Sequence, residues 1–423
     1  MGQKLVKNEL ERAEVFYNEQ RFDEAVEEWK KALKKLKKPE EKFRICAKIC
    51  LSLCDVGKYR EALSYAGQQC ELANQLNDVS MKSEAYFSVA LCNEKSCEFS
   101  KAISYCRQSQ QTDPEKKSIA GYIHMCMGNA YAGTSEFVKA WTNYALAMDT
   151  AKSGQDKILE ILTSARMGAL FCTLGDYESC LAYCNNALEL LGYLMDDDPN
   201  LKYKRQITVY MASAFRKLGR YSDAMDSCED AMQAAMKHSD RPVQARCLFL
   251  FADIHRKRND IERSSPRYES ASSIMSEIGD RLGQVEVLGG MAKTAVCLRD
   301  YQKGLELNEK SLDLATKIGC KLEMLRCHAR LQLVSEVIKD EVRARRHAGV
   351  IRQLVQEMDL FCGVCGEVVG QSLERLEPLS CGHFVHARCA VHLARSTLGR
   401  TSRRRPCPAC RRHTSLNPVQ APA

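Results

Sequence analysis

Apolar and small residues recur along most of the chain in a pattern that returns about every 40 residues. In the clearest copies a small residue is followed by an aromatic or small residue four positions later, and by another small residue three positions beyond. The small residues at the centres of the eight copies are Ala25, Ala62, Ala102, Ala140, Cys180, Ala224, Ser264 and Gly304. Regular spacing of this kind predicts a tandem array rather than one globule.

Several copies carry a second small residue twelve positions before the centre, with a bulky residue three positions after it, as in Gly128 with Tyr131. This is the pattern of tetratricopeptide (TPR) repeats, in which small residues let two antiparallel helices cross closely. The usual TPR period is roughly 34 residues, so the longer period predicts long helices or loops. We therefore expect an all-α TPR superhelix of about eight repeats with a concave face suited to peptides or helices. Trp29 and Trp141 fall on repeat positions and are expected to pack between helices.

After the eighth copy, Lys321 to Met358 reads as one or two helices. Its apolar residues Val334, Ile338 and Val342 are followed by the charged stretch "RARRHAG". A coiled coil and a capping helix pair with one exposed apolar stripe fit this pattern equally well. Either can bind a partner helix.

The chain has 22 cysteines, and 16 of them are scattered through helical segments. Without a regular framework they are expected to be reduced core residues. Cys46, Cys50 and Cys54 lie at helical spacing, which also suits a metal on one helix face. Core packing is favoured because no histidine or further cysteine completes a ligand set nearby in the sequence.

The net charge of +8 is concentrated at the C-terminal end. From Cys381 onward there is no Asp or Glu, and the arginines are Arg388, Arg395, Arg400, Arg403, Arg404, Arg405, Arg411 and Arg412. Such a block attracts nucleic acid, anionic lipid or an acidic protein surface. It lacks the interleaved aromatics of a nucleic-acid stacking platform, so nucleic acid is not an expected partner.

No apolar run approaches the roughly 18 residues of a membrane span. The start "MGQKLVKNEL" also lacks the apolar segment of a secretory signal. The chain is therefore expected in the cytosol or on the cytosolic face of a membrane.

The C-terminal region carries the pattern C-x2-C, fifteen residues, C-x-H-x2-H-x2-C, seventeen residues, C-x2-C. Its members are Cys362, Cys365, Cys381, His383, His386, Cys389, Cys407 and Cys410. Eight thiolate and imidazole ligands make two four-coordinate sites, for which zinc is the expected metal. Closed sites leave no open position for water, so metal-assisted hydrolysis is not expected.

The order of these ligands resembles the RING-H2 finger, in which ligand pairs alternate in a cross-brace. The resemblance implies one zinc on Cys362, Cys365, His386 and Cys389, and a second on Cys381, His383, Cys407 and Cys410. Many RING fingers are E3 ligases, which hold a charged E2 enzyme without catalytic residues of their own. Val364 and Pro408 fall where such fingers contact an E2, and Arg411 falls where an E3 clamps the E2 to its cargo. A RING used only for docking remains the alternative.

The expected organisation has five parts: an N-terminal acylation segment (1–8), the TPR array (9–320), the helical or coiled-coil-like segment (321–358), the RING-H2 finger (359–413) and a flexible tail (414–423).

The stretches from Asn93 to Cys106 and from Phe251 to Leu288 resemble the rapsyn family of postsynaptic scaffolds. The resemblance spans nearly the whole chain in the same order. It implies clustering of nicotinic acetylcholine receptors through their cytoplasmic helices, self-association through the TPRs, and contact with the muscle-specific kinase pathway. It also implies a link to dystroglycan and the actin–spectrin cytoskeleton. The leading hypothesis is thus a non-enzymatic scaffold on the cytoplasmic face of the postsynaptic membrane. The alternative is a RING-type E3 ligase for ubiquitin or a ubiquitin-like protein, which chooses substrates with its TPR groove.

The same resemblance implies a myristoyl group on Gly2. The acylation motif M-G-x-x-x-[ST] asks for a hydroxyl residue at position six, where this chain has Val6. One myristoyl chain binds a membrane only marginally, so a second signal is required. Lys4, Lys7, the arginine block or the receptor can supply it.

Overall fold

The computed structural model describes residues 2–194, 198–370, 374–395, 405–407, 409–410 and 413–414. Most of the described residues lie in antiparallel helix pairs that follow one another along the chain. The nine pairs in the described part are α1 Gly2–Asn18 with α2 Phe22–Lys35, α3 Pro39–Asp55 with α4 Tyr59–Leu76, α5 Val79–Lys95 with α6 Phe99–Thr112, α7 Lys117–Gly133 with α8 Phe137–Gly154, α9 Lys157–Thr173 with α10 Tyr177–Leu191, α11 Lys202–Lys217 with α12 Tyr221–Lys237, α13 Arg241–Lys257 with α14 Ile261–Ile278, α15 Arg281–Cys297 with α16 Tyr301–Ile318, and α17 Lys321–Val337 with α18 Glu341–Glu357. The predicted all-α repeat array is confirmed.

The small residues of the repeat lie where helices cross. A Cβ added at Gly128 of α7 would lie 2.5 Å from the Tyr144 ring of α8, so only glycine allows this approach. Trp29 and Trp141 are 0% and 2% exposed, which confirms that they pack between helices. The cysteines of the helices are free thiols and most are buried, although Cys297 is exposed.

Aspartate caps many of the helix starts. In eight helices the side chain of the residue before the first turn accepts a hydrogen bond from a first-turn amide, which satisfies one of the unpaired backbone donors there. These residues are Asp78, Asp156, Asp176, Asp240, Asp260, Asp280, Asp300 and Asp340. The sequence therefore marks the helix boundaries as well as the buried face.

The ninth pair, α17 and α18, falls in the segment for which a coiled coil and a capping pair were both open. The chain breaks at Ile338 to Asp340 and the two helices pack against each other. Leu331 and Val334 are buried beneath them, whereas Val342 is 76% exposed. The structure thus adopts a helix pair that continues the array.

Successive turns of the superhelix touch each other. Three hydrogen bonds join the turn inside one pair to the start of a first helix further along: Arg205 Nη1 to Gln20 Oε1 (2.7 Å), Arg281 Nη2 to the Ser96 carbonyl (2.9 Å), and the Leu322 amide to Ser135 Oγ (2.9 Å). These partners lie 185, 185 and 187 residues apart. Because a pair spans about 40 residues, the superhelix returns over itself after between four and five pairs.

The remaining elements form a small C-terminal unit, called the finger here: residues 360–395 with the described residues between 405 and 414. Its elements are β1 Leu376–Pro378, β2 Phe384–His386, α19 Ala387–Arg395, β3 Arg405–Pro406 and β4 His413–Thr414. Strands β1 and β2 pair antiparallel, as do β3 and β4. Among the described helices, none is both long and apolar enough to cross a lipid bilayer.

A candidate metal centre docked on the repeats

The eight cysteine and histidine residues of the spacing pattern gather into two groups in the finger. One group is Cys362, Cys365, His386 and Cys389; the other is Cys381, His383, Cys407 and Cys410. Within each group the potential ligand atoms all lie within 4.8 Å of one another. The two sets interleave along the chain in the cross-braced order that the RING-H2 resemblance implied.

Backbone hydrogen bonds in a tight turn bring the first two cysteines of the pattern together. The Gly366 amide donates to the Cys362 carbonyl and the Cys362 amide donates to the Glu367 carbonyl, each at 2.8 Å. These bonds close a tight turn that brings Cys365 back beside Cys362. The β1–β2 pairing, with Leu376 opposite His386, carries His386 to the same place.

Both histidines present the same ring nitrogen to their group. His386 Nδ1 lies 3.3 Å from Cys365 Sγ, and His383 Nδ1 lies 3.3 Å from Cys381 Sγ. His383 Nε2 lies 3.2 Å from Asp359 Oδ2, the outer carboxylate contact that commonly orients a metal-binding imidazole. Three thiols and one imidazole in each group fit a four-coordinate zinc ion.

Burial opposes the ionisation of Cys389 in the first group. Desolvation, together with the neighbouring Cys362, raises the pKa of Cys389 to about 12. A metal ion at this group must therefore displace thiol protons as it binds.

The finger packs directly on the repeats. The Phe384 ring meets Trp141 of α8 and Phe171 of α9 edge-on, with ring centroids 5.7 and 6.1 Å apart. Asp176 Oδ2 accepts a hydrogen bond of 2.8 Å from the Leu376 amide, while Asp176 Oδ1 caps α10. A shared aromatic cluster and a buried backbone bond therefore hold the finger against one turn of the superhelix.

Gly382 is required by this contact for two reasons. Its φ of +88° lies in the left-handed region, which favours glycine. A Cβ there would also lie 2.8 Å from the Val138 carbonyl oxygen and 2.7 Å from Thr142 Oγ1. The backbone of the finger thus approaches α8 more closely than any side chain allows.

Only some of the other predicted site residues lie in the part of the chain that the structure describes. Val364, inside the first C-x2-C, is 39% exposed. Pro408, Arg411 and the arginines from Arg400 to Arg404 lie outside the described residues. Gly2 is the first residue of α1.

The spacing pattern in the sequence did not predict three residues that contribute to these contacts or form a further cysteine group. Asp359 and Asp176 stand outside the ligand pattern, and only the folded chain brings them to His383 and Leu376. Cys92 of α5 joins Cys50 and Cys54 of α3 in a third, buried group, with Cys92 Sγ lying 3.4 Å from Cys50 Sγ and 3.9 Å from Cys54 Sγ. Cys92 arrives from the next helix pair, so the local spacing of Cys46, Cys50 and Cys54 did not reveal it.

Comparison with solved structures supports the helical fold. The chain is similar to a Rap protein complexed with Competence and Sporulation Factor, with a TM-score of 0.59 and 11% identity over 85% of this chain and 99% of that one. It is also similar to NprR in complex with its cognate peptide NprX, with a TM-score of 0.57 and 14% identity over 82% of this chain and 99% of that one. At these identities the likeness shows the fold alone.

Comparison with known sequences is more specific. Residues 1–80 match the family described as the Rapsyn N-terminal myristoylation and linker region. The "43 kDa receptor-associated protein of the synapse" of Tetronarce californica is 36% identical over 421 residues, 99% of each chain. The protein of the same name from Gallus gallus is 37% identical over 97% of this chain and 98% of its own. With such identity over nearly their full length, the chain belongs to the rapsyn family.

Proposed function

We propose that this chain is a membrane-attached scaffold that gathers receptors at the synapse, with the nicotinic acetylcholine receptor as its cargo. The observation that carries the proposal is the 36–37% identity, over nearly full length, to two proteins named as receptor-associated at the synapse. The identity extends through the repeats and the finger alike. A scaffold that uses several contacts at once gains avidity without any single tight site.

Acylation of Gly2 supplies the first membrane contact in this proposal. The match of residues 1–80 to a region described by its myristoylation supports it. Val6 departs from the acylation motif, and it packs partly against the core of the first repeats, which gives its apolar character a structural reason. Lys4, Lys7, the C-terminal arginines or the bound receptor add the second contact that stable anchoring needs.

A stripe of exposed apolar residues on the last helix pair offers a surface for a receptor cytoplasmic helix. The apolar stripe is Leu333, Val337, Ile338 and Val342, which are 61%, 55%, 41% and 76% exposed. Contiguous exposed apolar residues of this kind mark interaction sites, and an amphipathic helix can lay its apolar face on them. Self-association of the TPRs and links to dystroglycan, actin–spectrin and the muscle-specific kinase pathway complete the proposed set of partners.

The finger is proposed to be a RING-H2 domain with two zinc ions, held by the two groups of four ligands. The donor set, the interleaved order and the Asp359 contact to His383 support this assignment. Zinc bound there would join the segments of the finger around Cys362, Cys381, Cys389 and Cys407, so it would supply folding free energy.

Co-expression with a fluorescent acetylcholine receptor tests the scaffold. Surface clusters are expected with the wild type and absent with Gly2→Ala and with Val342→Asp, which places a charge on the apolar stripe. Met236→Asp is the matched control, because Met236 is 68% exposed on α12 outside the stripe. Diffuse receptors with the wild type, or equal clustering by Val342→Asp and Met236→Asp, would contradict the proposed cargo or the proposed contact.

A second candidate function is a RING-type E3 ligase for ubiquitin or a ubiquitin-like protein. Val364 favours it, because an apolar residue 39% exposed in the first metal turn is free to contact an E2 enzyme. Val364→Ala and Arg411→Ala should then abolish transfer by an E2 while sparing clustering. If clustering is lost only together with transfer, the scaffold has no independent role.

A further inference from the structure

The first helices of the last four pairs carry a cluster of charged residues on their mutually facing sides. These helices, α11, α13, α15 and α17, contact one another in sequence, while the second helices pack behind them. Arg216 of α11 donates a hydrogen bond to Asp253 of α13 across these sides. Arg326 of α17 helps to lower the pKa of Lys217 on α11, although two pairs lie between α11 and α17 in the sequence. The cluster therefore faces the inside of the superhelix, and we call it the inner face: Arg216, Lys217, Asp253, Arg256, Lys293, Glu323, Arg326 and Arg330.

Two carboxylates on the inner face are paired with neighbouring arginines. Asp253 accepts hydrogen bonds from Arg216, from Arg256 and, at 3.0 Å, from the Tyr268 hydroxyl. Glu323 accepts a bond from Arg326. The arginines that these carboxylates bind are thereby oriented.

Three inner-face cations have no acidic partner within the described residues. Arg330 Nε donates to Asn308 Oδ1 at 2.6 Å and its Nη2 approaches Cys327 Sγ at 3.1 Å, so its partners are neutral. Lys217 and Lys293 have no carboxylate oxygen within 4.0 Å of Nζ in the described part of the chain. Both lysines are nevertheless exposed to solvent.

Desolvation by the surrounding helices lowers the pKa of Lys217 and of Lys293 to about 8 in each case. Nearby arginines add to the effect, since Arg216 and Arg326 repel Lys217. Both lysines are still mostly protonated at neutral pH. Six cations thus face two carboxylates, and the nearby Glu286 is itself paired with Arg246.

We propose that the inner face is a binding site for an acidic peptide segment of a partner protein. An incoming row of carboxylates would pair with the cations that the chain leaves unpaired. The charged residues come from the first helices of four successive pairs, so the site presents several cations side by side. Three cations without an acidic partner in the described part of the chain, Lys217, Lys293 and Arg330, suit a ligand that carries several carboxylates, as an acidic peptide does.

The concave position excludes a lipid surface, because a flat bilayer cannot follow the inside of a superhelix. The site also differs from the C-terminal arginine block, because its charged residues lie on the helices α11, α13, α15 and α17. The inference stands independently of the proposed membrane anchor, receptor contact and finger, since it uses none of their residues.

Binding of a fluorescein-labelled deca-glutamate peptide to the full-length protein, followed by fluorescence anisotropy at low salt, tests the site. Lys217→Gln with Lys293→Gln removes two unpaired charges from exposed side chains, and the fold should survive because neither side chain is buried. We expect the Kd to rise about tenfold or more, since two desolvated charge contacts are lost. A circular dichroism spectrum equal to that of the wild type establishes that the double variant is folded.

Two matched variants locate the binding. Lys303→Gln with Lys310→Gln removes the same charge from exposed positions on α16, and Arg403→Gln with Arg404→Gln and Arg405→Gln removes charge from the arginine block. Both should keep the Kd within about twofold of the wild-type value. The proposal is overturned if the wild type does not bind the peptide, if the inner-face variant binds as the wild type does, or if the arginine-block variant accounts for most of the loss.

Discussion

Replacing Phe384 with alanine measures how strongly the repeats hold the finger. Phe384 is 7% exposed and meets both Trp141 and Phe171 edge-on. Truncation of a buried phenylalanine to alanine costs about 3–5 kcal/mol. The two edge contacts account for about 1–3 kcal/mol of this, at about 0.5–1.5 kcal/mol each. Phe384→Leu keeps most of the apolar volume and should therefore cost only about 1–3 kcal/mol.

Amide hydrogen exchange of the full-length protein, resolved by mass spectrometry, is the assay. The Leu376 amide is bonded to Asp176 across the contact, so it exchanges when the finger lifts from the repeats. Where closing is fast, the exchange rate follows the opening equilibrium, and each 1.4 kcal/mol is a factor of ten. Phe384→Ala should accelerate exchange in β1 and β2 by roughly 100- to 4,000-fold, and Phe384→Leu by roughly 5- to 100-fold.

The distant pair α3 and α4 is the internal control: Phe384 packs on α8 and α9, so exchange in α3 and α4 should not change. A Phe384→Ala variant whose β1 and β2 amides exchange within fivefold of the wild-type rate would refute the reasoning. So would an equal acceleration in α3 and α4, which would indicate general destabilisation rather than loss of docking.

Three further results are expected. Gly382→Ala should open the finger more than Gly366→Ala in the same exchange assay. Both glycines have a positive φ, +88° and +74°, but of the two only Gly382 also faces the Val138 carbonyl. Equal effects of the two substitutions would contradict that contact. Treatment with a zinc chelator should accelerate amide exchange in the finger. It should leave the helical circular dichroism signal nearly unchanged, because the repeats have their own core. Collapse of the helical signal would contradict this prediction. Desolvation lowers the pKa of His328 and His347, whose Nδ1 atoms lie 2.9 Å apart, so the fold favours their neutral forms. The stability of α17 and α18 should be full above the unfolded pKa of about 6.5 and fall as the pH drops below it, and exchange there should then rise in the wild type but less in His347→Gln.

Much of the fold follows from local sequence rules. Three such rules each act within one or two repeats: the repeat period, the small residues at helix crossings and the aspartate caps. They can therefore be recognised from one amino-acid sequence. The ligand pairs of the finger are visible for the same reason, because a C-x2-C turn sets its own geometry. Even the choice between a coiled coil and a helix pair after Lys321 depends on one local break at Ile338 to Asp340.

What the sequence could not predict depends on the pitch of the superhelix. The bond from Arg205 to Gln20 spans 185 residues, and no spacing rule connects positions so far apart. The sequence did not show that Cys92 lies beside Cys50, because the two cysteines belong to adjacent repeats. The inner-face lysines look like ordinary surface residues in the sequence, and their lack of acidic partners emerges only when α11 and α17 face each other.

The turn-to-turn bonds also give the finger a structural role beyond its proposed metal sites. The series of bonds that ends with Ser135 and Leu322 continues at Asp176, whose partner is Leu376 of the finger, 200 residues away. The finger therefore occupies the place where the first helix of a further pair would begin. Repeat arrays need a terminal element that covers their last apolar edge. Here the finger covers Trp141 and Phe171. If the two groups hold the proposed zinc ions, their loss would expose an aromatic surface on the repeats and lower the solubility of the whole array.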